Sequence, residues 1–590
     1  MLRVPARRIL VLCFNRGAAL ELRRRLGTLI GDDARGITVQ TYHGFAMRLT
    51  GHSYAERLGT GNGRDTENNG LDQVIPEAVA LLEGRAELPG LAGDSDRDAA
   101  RDRLLAGFRH ILVDEYQDID GDQYRLVAAI AGRSRETAED ERLTLLAVGD
   151  DDQNIYAFRG ASIDYIRRFQ KDYDAELHGL VENYRSTGHV IAAANALIAH
   201  NRERMKTGQP IRIDRRRGSQ PAGGRFAALD GHAKGRVLVL STADAGRQAA
   251  ALVARIQALR RLGGGDWSDH AVLARTHDTL APIRALCEAR GIPVAVTGDL
   301  PGLHRIRELD AFLSALREHG REPRTAGDLT ALLPAGAGPW RNLIERLIVD
   351  WRAEAGDNPV PAAEIAEFCY ETLAEQRRER RLGDGVLLTT LHGAKGLEFP
   401  HVLIADGGWS RGRDAESIEE ERRLFYVGMT RAKETLTLGE IEGGGHPHLP
   451  LIDSGDWLLR AAPHTEPPPA DTIDRRYTRL TPAHLDLGYA GRQSPRAAIH
   501  RHLAALSAGD PLQWQRDRDS LLLLDAAGHP VGRLSRRAGA EWLPRLAQIE
   551  QIRIDAMLRQ DKAHSSPEFA ERCRIDHWEV PLVEIRWHSD

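Results

Sequence analysis

The chain has 590 residues, 42% of them hydrophobic, and because a single hydrophobic core does not organise so long a chain, we expect two to four domains. Lys and Arg total 80 against 85 for Asp and Glu, so the net charge of -5 excludes a globally cationic surface and leaves any nucleic-acid contact to a local basic stripe. Four scattered cysteines without a C-x-x-C pair argue against a zinc site or a disulfide framework and fit a reducing cytoplasm, and no apolar run approaches the ~18 residues that span a bilayer.

Short apolar runs, each followed by helix-like sequence, recur along the chain. They are Ile9 to Phe14, Ile111 to Val113, Leu143 to Val148, Val237 to Leu240, Ala271 to Ala274, Pro293 to Val296, Leu387 to Leu391 and Val402 to Ala405. Runs without alternation are typical of strands buried on both faces, and strands that alternate with helices indicate parallel sheets. The pattern therefore predicts two α/β domains in tandem.

The predicted boundaries add two insertions and a small C-terminal module. We expect a first domain over 1–190 with an insertion at about 51–106, a second over 191–445 with a helical insertion at about 306–383, a Pro-rich linker over 446–470 and an α+β accessory module over 471–590. The stretch Leu71 to Glu87 predicts a helix. In the accessory module, Ser494-Pro495 predicts a helix start, and Leu521 to Leu524 with Val531 to Leu534 predicts a β-hairpin.

Two carboxylates follow the second apolar run directly. Asp114 and Glu115 come after Ile111 to Val113, which puts them at the carboxyl end of a buried strand, where ligands bind in open α/β sheets. Mg²⁺ on nucleotide phosphates needs a hard oxygen ligand there, and a second carboxylate can orient or deprotonate a water. Solvated acids that cap the next helix are the alternative, and the longer string Asp-Glu-Tyr-Gln-Asp favours the metal site.

The third apolar run breaks at Gly149 into an acidic turn with a glutamine and aromatics. Gln153 can read a γ-phosphate by hydrogen bonding, while Tyr156, Phe158 and Arg159 offer rings and a guanidinium on which single-stranded bases can stack. An acidic turn followed by core aromatics is the alternative interpretation.

Two arginines are candidates for stabilising charge on a transferred phosphoryl group, because the guanidinium is planar and permanently charged. Arg185 lies in Asn183 to Ser186 at the end of the first α/β half, and Arg431 lies in Glu420 to Lys433, which we predict to be a helix. Only six residues of the chain are lysines, and two of them are Lys395, in the segment 390–399, and Lys433, in the segment 420–433.

Five segments occur in an order that, taken together, is highly specific. They are ILVDEYQD (111–118), VGDDDQNIYAFRG (148–160), ENYRS (182–186), TLHGAKGLEF (390–399) and EERRLFYVGMTRAK (420–433). With these motifs the chain resembles the superfamily 1 DNA helicases of the UvrD/Rep type over roughly two thirds of its length. The resemblance implies two RecA-like domains of the P-loop NTPase class, ATP and Mg²⁺ as cofactors, and single-stranded DNA as partner.

The resemblance also implies roles for individual residues. On the nucleotide side these are Asp114 and Glu115 for Mg²⁺ and water activation, Gln153 for coupling the γ-phosphate to DNA, Tyr184 for adenine stacking, Arg185 for the γ-phosphate, Gly396 and Glu398 for the nucleotide, and Arg431 as the arginine finger. On the DNA side they are Phe14, Tyr42, His43, Tyr156, Phe158, Arg159 and His392.

The sequence departs from the family pattern in three places. The first DNA motif, CFNRGAA (13–19), has Arg16 and Gly17 where the family has asparagine and lysine, and Phe158 stands where tryptophan is common. No G-x-x-x-x-G-K-[ST] phosphate loop occurs in the 590 residues. We therefore expect the C-terminal portion of a longer helicase; a weaker resemblance is to polypeptides in which a UvrD-like motor follows a RecQ-like one.

The resulting functional expectation is a cytoplasmic, ATP-dependent 3′ to 5′ DNA helicase or translocase that acts at single-strand/double-strand junctions, with other DNA repair proteins or an upstream helicase portion as possible partners and no membrane partner. One rival is a motor remnant that binds single-stranded DNA without ATP turnover, because the phosphate loop is missing. A second rival, a metal-dependent nuclease using Asp114 and Glu115, would need further acidic ligands, for which only Asp118 and the Asp150 to Asp152 turn are at hand.

Overall fold

The computed structural model describes residues 4–59, 71–85, 105, 107–132, 143–155, 163–202, 204–206, 208, 210–297, 302–379, 381–382, 385–410, 412, 414–453, 455–463, 465–565 and 567–588. Its strands are β1 (Ile9–Cys13), β2 (Thr38–Thr41), β3 (His110–Val113), β4 (Thr144–Ala147), β5 (Glu182–Asn183), β6 (Arg212–Ile213), β7 (Val237–Thr242), β8 (His270–Ala274), β9 (Val294–Thr297), β10 (Pro323–Arg324), β11 (Val360–Pro361), β12 (Arg381–Leu382), β13 (Val386–Thr390), β14 (Phe399–Ile404), β15 (Ala432–Ile441), β16 (Leu458–Ala461), β17 (Arg475–Arg479), β18 (Pro511–Asp517), β19 (Ser520–Leu524), β20 (Pro530–Arg533), β21 (Ile549–Asp561) and β22 (His577–His588). Its helices are α1 (Arg16–Ile30), α2 (Tyr42–Thr50), α3 (Tyr54–Gly59), α4 (Val74–Leu82), α5 (Gly121–Ile130), α6 (Ile163–Tyr173), α7 (Gly188–Ile198), α8 (Arg215–Gly218), α9 (Phe226–Leu229), α10 (Ala245–Gly263), α11 (His277–Ala289), α12 (Arg307–His319), α13 (Ala326–Leu329), α14 (Pro339–Ala355), α15 (Ala362–Glu379), α16 (Ala415–Met429), α17 (Ala470–Ile473), α18 (Ile499–Ala505), α19 (Arg536–Trp542) and α20 (Pro567–Ala570).

The first lobe is built on a parallel sheet in the order β2-β1-β3-β4. Both faces of β1 are covered, because Leu10 and Leu12 pack into one hydrophobic cluster while Val11 and Cys13 pack into another. This double burial explains why the strand reads as a continuous apolar run. Its helix α1 begins after Asn15, whose side chain accepts a hydrogen bond from the Ala18 N–H at 2.8 Å and so caps the first turn.

The second lobe is built on an eight-stranded sheet in the order β12-β9-β13-β8-β14-β15-β7-β16. Only the edge strand β12 is antiparallel to its neighbour; the other pairings are parallel. Separate hydrophobic clusters cover the two faces. Each of the eight apolar runs predicted as strands forms one in the two sheets, which confirms the α/β prediction.

The helical insertion and the C-terminal module share one hydrophobic cluster with the first lobe. The insertion contributes α12, α14 and α15, and the module contributes an antiparallel sheet in the order β17-β22-β21-β18-β19-β20. The predicted hairpin is confirmed, since β19 and β20 pair antiparallel. Among the helices that the structure describes, none has the length and apolar character needed to cross a membrane.

Several sequence expectations differ from the observed elements. The predicted helix Glu420 to Lys433 ends earlier, at Met429, and β15 starts at Ala432. The predicted helix start at Ser494-Pro495 is wrong: these residues open a separate turn, closed by the Ala497 N–H donating to Ser494 O at 2.9 Å, and α18 begins at Ile499.

The expected borders at 190 and 446 can also be compared with the elements. The border after residue 190 falls inside α7, whose apolar face packs in the second lobe with Leu424 and Leu438. Residues 458–461 of the expected linker form β16, the edge strand of the second sheet. Tertiary packing, which sequence composition does not report, decides both positions.

Candidate nucleotide site at the interlobe junction

Asp114 and Glu115 lie at the carboxyl edge of the first sheet, directly after β3. The Asp114 N–H donates to Leu12 O at 2.9 Å, and Glu115 adopts a left-handed backbone with φ of 52°, which is unfavourable for a residue with a side chain and is typical of functional turns. Burial and the adjacent charge of Glu115 raise the pKa of Asp114. Within the described residues no Lys, Arg or His forms an ion pair with either carboxylate. A divalent cation such as Mg²⁺ fits this uncompensated pair of hard oxygen ligands.

A buried glutamine fixes the acids to the neighbouring strand. The Gln117 amide donates to Glu115 and, at 3.3 Å, to Oδ2 of Asp118, while its Oε1 accepts from the Asp150 N–H at 2.9 Å. Only glycine fits at position 149, because a Cβ there would lie 2.7 Å from Gln117 Oε1. These hydrogen bonds orient the Glu115 side chain, and the carboxylates of Asp114 and Glu115 stay at the edge of the sheet.

Side chains of the second lobe reach this edge. Arg431 Nη2 donates to Gln153 Oε1 at 2.9 Å, and Lys395 Nζ donates to Asp118 at 2.6 Å and to the backbone oxygen of Gln153 at 2.5 Å. Burial raises the pKa of Asp118 to about 7, although the charge of Lys395 opposes the rise. The predicted coupling glutamine and the predicted arginine finger are therefore in direct contact.

Arg431 is buried in the turn between α16 and β15, not in a helix as predicted. Its Nε donates to Val427 O at 2.9 Å and its Nη2 also lies 3.2 Å from Thr430 Oγ1. Burial, and then the positive charge of Arg185, lower its pKa to about 10. It is still protonated at neutral pH, and the anchored guanidinium needs little reorganisation to face an anion.

Arg185 and Glu398, both predicted nucleotide contacts, form an ion pair at 2.5 Å. Lys433 Nζ holds the second oxygen of Glu398 at 2.6 Å. Burial would raise the pKa of Glu398, but the hydrogen bond from Lys433 and the charge of Arg185 outweigh it and the pKa is lowered. Tyr184 is 68% exposed, so its ring is open to a stacking partner. Gly396 has φ of 78°, a left-handed turn that favours glycine, and lies beside Asn15 of the first lobe.

The acidic turn after β4 is neutralised by cations. Arg204 donates to both oxygens of Asp152 at 2.7 Å, and Lys206 Nζ lies 2.5 Å from Asp150. The three carboxylates of Asp150, Asp151 and Asp152 lie close enough for a shared cation, but Arg204 and Lys206 occupy two of them and the Met205 N–H donates to Asp151 at 2.6 Å. The turn therefore does not supply free ligands for the nuclease alternative.

The predicted DNA contacts fall into three groups. Phe14, His43 and His392 are half-buried and come within two residues after the carboxyl ends of β1, β2 and β13. Tyr42 is 1% exposed and lies in the core, so a base cannot reach its ring in this conformation. Tyr156, Phe158 and Arg159 lie outside the described residues.

Sequence reasoning gave no role to Lys395, Gln117 or Asn154. Lys395 joins the lobes, and the Asn154 amide donates to Gln117 O inside the network behind the acids. The available signal for Lys395 was the rarity of its residue type, because the chain has six lysines and two of them, Lys395 and Lys433, lie inside the motifs. Arg16, which replaces the family's asparagine, is buried and pairs with Glu354 and Glu371 of the helical insertion.

Two helicase family models match successive parts of the chain. The UvrD/REP helicase N-terminal domain model matches residues 64–174, and the UvrD-like helicase C-terminal domain model matches residues 304–443. The chain is 27% identical to the ATP-dependent DNA helicase UvrD1 of Mycobacterium tuberculosis, covering 85% of each chain. It is 30% identical to UvrD2 of the same organism over 68% of this chain and 57% of that one, and 28% identical to DNA helicase II of Haemophilus influenzae over 58% and 56%.

The chain has two lobes, each built on a mainly parallel sheet, and acidic and cationic side chains meet at the junction between them. This is the architecture of a two-domain RecA-like motor. Because the N-terminal and C-terminal family models both match the chain, in that order, and UvrD1 matches over 85% of it, the chain belongs to the UvrD/Rep type of superfamily 1 helicases.

Proposed function

We propose that this chain is an ATP-dependent DNA helicase or translocase that moves 3′ to 5′ along single-stranded DNA, with Mg²⁺ as its metal. The contact between Gln153 and Arg431 is the observation that supports the proposal most, since it joins the candidate γ-phosphate sensor of one lobe to the candidate arginine finger of the other. The direction of movement follows from the family resemblance.

In this proposal each polar group at the junction has a task. Asp114 binds the metal, which neutralises phosphate charge, and Glu115 orients the attacking water. Arg185 leaves Glu398 to meet the γ-phosphate, and Glu398 becomes available to the sugar. Nucleotide binding therefore exchanges contacts between protein groups for contacts to ATP, which couples occupancy of the junction to movement of the lobes.

The DNA track in this proposal runs across the carboxyl edges of both sheets. Phe14 lies at that edge in the first lobe and His392 in the second, directly after β1 and β13. Stacking on aromatic rings tolerates any base, which suits a motor that moves along arbitrary sequence and, at single-strand/double-strand junctions, separates the strands. The proposed protein partners are DNA repair proteins that act at such junctions.

A second candidate function is supported by one sequence feature. The 590 residues contain no G-x-x-x-x-G-K-[ST] loop, whose backbone N–H groups and lysine hold the β- and γ-phosphates in P-loop enzymes. A chain that binds single-stranded DNA but does not turn over ATP would fit this feature.

One experiment separates the two candidates. Phosphate release from ATP and Mg²⁺ is measured with and without a single-stranded oligonucleotide, for the wild-type chain and for Glu115→Gln, and oligonucleotide binding is measured in parallel. We expect DNA-stimulated release that falls by about 10²-fold or more in Glu115→Gln while DNA binding persists. Binding without release supports the second candidate, and absence of both DNA binding and release overturns both.

A further inference from the structure

The accessory module carries two histidines and an aspartate that converge far along the chain from the interlobe junction. His502 Nδ1 lies 3.1 Å from Asp525 Oδ2, and His529 Nδ1 lies 3.3 Å from Asp525 Oδ1. The two imidazole rings stack, with centroids 4.0 Å apart and an interplanar angle of 23°. The three ligand atoms lie within 4.8 Å of one another.

The backbone holds this cluster in place. Asp525 and His529 flank the turn of the β19–β20 hairpin, where the Asp525 N–H donates to His529 O at 2.9 Å. The N–H groups of Ala527 and His529 donate to Asp525 Oδ1 at 2.9 and 2.8 Å, which holds that oxygen in place. His502 comes from α18, which is anchored next to it by the buried Leu503. Ligand orientation by backbone donors is typical of metal sites.

We propose that His502, Asp525 and His529 form a Zn²⁺ site with water as the fourth ligand. One imidazole is enough to pair with the Asp525 carboxylate, but two contact it. A cation held between the three groups would use both imidazoles and the carboxylate as ligands. Imidazole nitrogen and carboxylate oxygen are ligands that suit Zn²⁺, and three protein ligands leave one position for water. The His529 side chain is 51% exposed, so solvent reaches this position.

The cysteine pattern does not bear on this site, because it argues only against a thiolate-bound metal. Zn²⁺ here would link α18 to the hairpin turn, and these two elements lie 20 or more residues apart in the sequence. Without the metal, His502 and Asp525 provide a direct contact between them. The effect we expect is a more stable accessory module when the metal is bound.

The test uses the full chain without an affinity tag, stripped with EDTA and titrated with Zn²⁺ by calorimetry, with metal content measured after dialysis. Variants are His502→Ala and His529→Ala. The matched control is His577→Ala, because His577 Nδ1 lies 3.3 Å from Asp561 in the same module, and among the residues that the structure describes there no second histidine pairs with Asp561. We expect one Zn²⁺ per chain in the wild type and in the control, and binding weakened by about 10² or more in the other variants.

Equal Zn²⁺ binding by all four proteins, or no stoichiometric binding by the wild type, would overturn the site and leave a histidine–aspartate contact only. His529→Ala alters an exposed turn side chain, so circular dichroism of that variant separates lost ligation from misfolding. A Zn²⁺-dependent rise in the unfolding temperature, present in the control and absent in His529→Ala, is the second expected result. DNA binding and ATP turnover are independent readouts, so this proposal and the proposed function can fail separately.

Discussion

Arg431 Nη2 donates to Gln153 Oε1 at 2.9 Å, so the guanidinium of the second lobe is in direct contact with the glutamine of the first. A second link, from Lys395 to Asp118, lies in the same junction. The lobes are thus held together by two polar contacts, and the proposed function assigns Gln153 and Arg431 of this junction to the γ-phosphate.

The first prediction concerns the guanidinium of Arg431. In Arg431→Ala we expect DNA-stimulated ATP hydrolysis to fall by about 10³-fold, because an arginine finger stabilises charge on the transferred phosphoryl group. Steady-state phosphate release measures this. Arg225→Ala is the control, since Arg225 pairs with Glu434 at the surface of the same lobe and should keep its activity. A loss of less than about tenfold in Arg431→Ala would rule out the finger role.

The second prediction concerns the pH dependence of the Lys395 contact. The folded pKa of Asp118 is raised to about 7, so its protonation favours the folded state below the unfolded pKa, and that contribution is lost as pH rises through about 7. Lys395→Met removes the positive charge that lowers the pKa of Asp118. At high pH the variant therefore keeps the Asp118 carboxylate buried without its cationic partner.

We therefore expect Lys395→Met to destabilise the first lobe by about 3–5 kcal/mol near pH 8.5 and by clearly less near pH 5.5. Thermal unfolding at both pH values measures the difference. Lys433→Met is the control: its partner Glu398 has a side chain 34% exposed, so about 1 kcal/mol or less is expected. An equal loss at both pH values would contradict the assigned role of Asp118.

The third prediction concerns the attachment of the accessory module. Arg284 on α11 of the second lobe donates to both oxygens of Glu584 at 2.9 and 2.7 Å, and both side chains are buried. Burial would raise the pKa of Glu584, but Arg284 outweighs it and the pKa falls to about 2. The contribution of this carboxylate is present above its unfolded pKa and is lost as pH falls toward about 2.

Arg284→Met should weaken docking of the module by about 3–5 kcal/mol, because it leaves Glu584 buried without its main partner. The double variant with Glu584→Met should lose less, since two apolar side chains replace the pair. Protease cleavage in residues 462–470 reports undocking. Arg247→Ala, at an exposed helical pair with Asp244, is the control. Additive losses in the double variant would show that the pair is not a unit.

The fourth prediction concerns Arg16, which joins the first lobe to the helical insertion. Its guanidinium pairs with Glu354 at 2.7 Å and with Glu371, and it lies 4.6 Å from the ring centre of Phe368. Arg16→Lys should not restore stability lost in Arg16→Ala, because lysine lacks the planar guanidinium that binds Glu354 and Glu371 through two different nitrogens and lies against the Phe368 ring. Hydrogen exchange of α1 and α15 measures the loosening, and full rescue by lysine would contradict the bridging role.

The sequence by itself determined eight of the twelve strands in the two lobe sheets, the parallel class of those sheets and the order of the motifs. Burial on both faces imposes apolar runs such as Ile111 to Val113, and a strand that ends at such a run places Asp114 and Glu115 at the sheet edge. These features are local, so composition and spacing carry them. The hairpin of β19 and β20 was predictable for the same reason.

Only the tertiary structure decided which groups meet across the junction. Gln153 and Arg431 are separated by 278 positions, and Asp118 and Lys395 by 277, so no periodicity relates them. The tertiary structure also decided that Arg431 lies in a turn, that Tyr42 is buried, and that Arg16 binds the insertion. Each of these outcomes depends on packing between elements distant in sequence, and local sequence does not encode the partner that a side chain will meet.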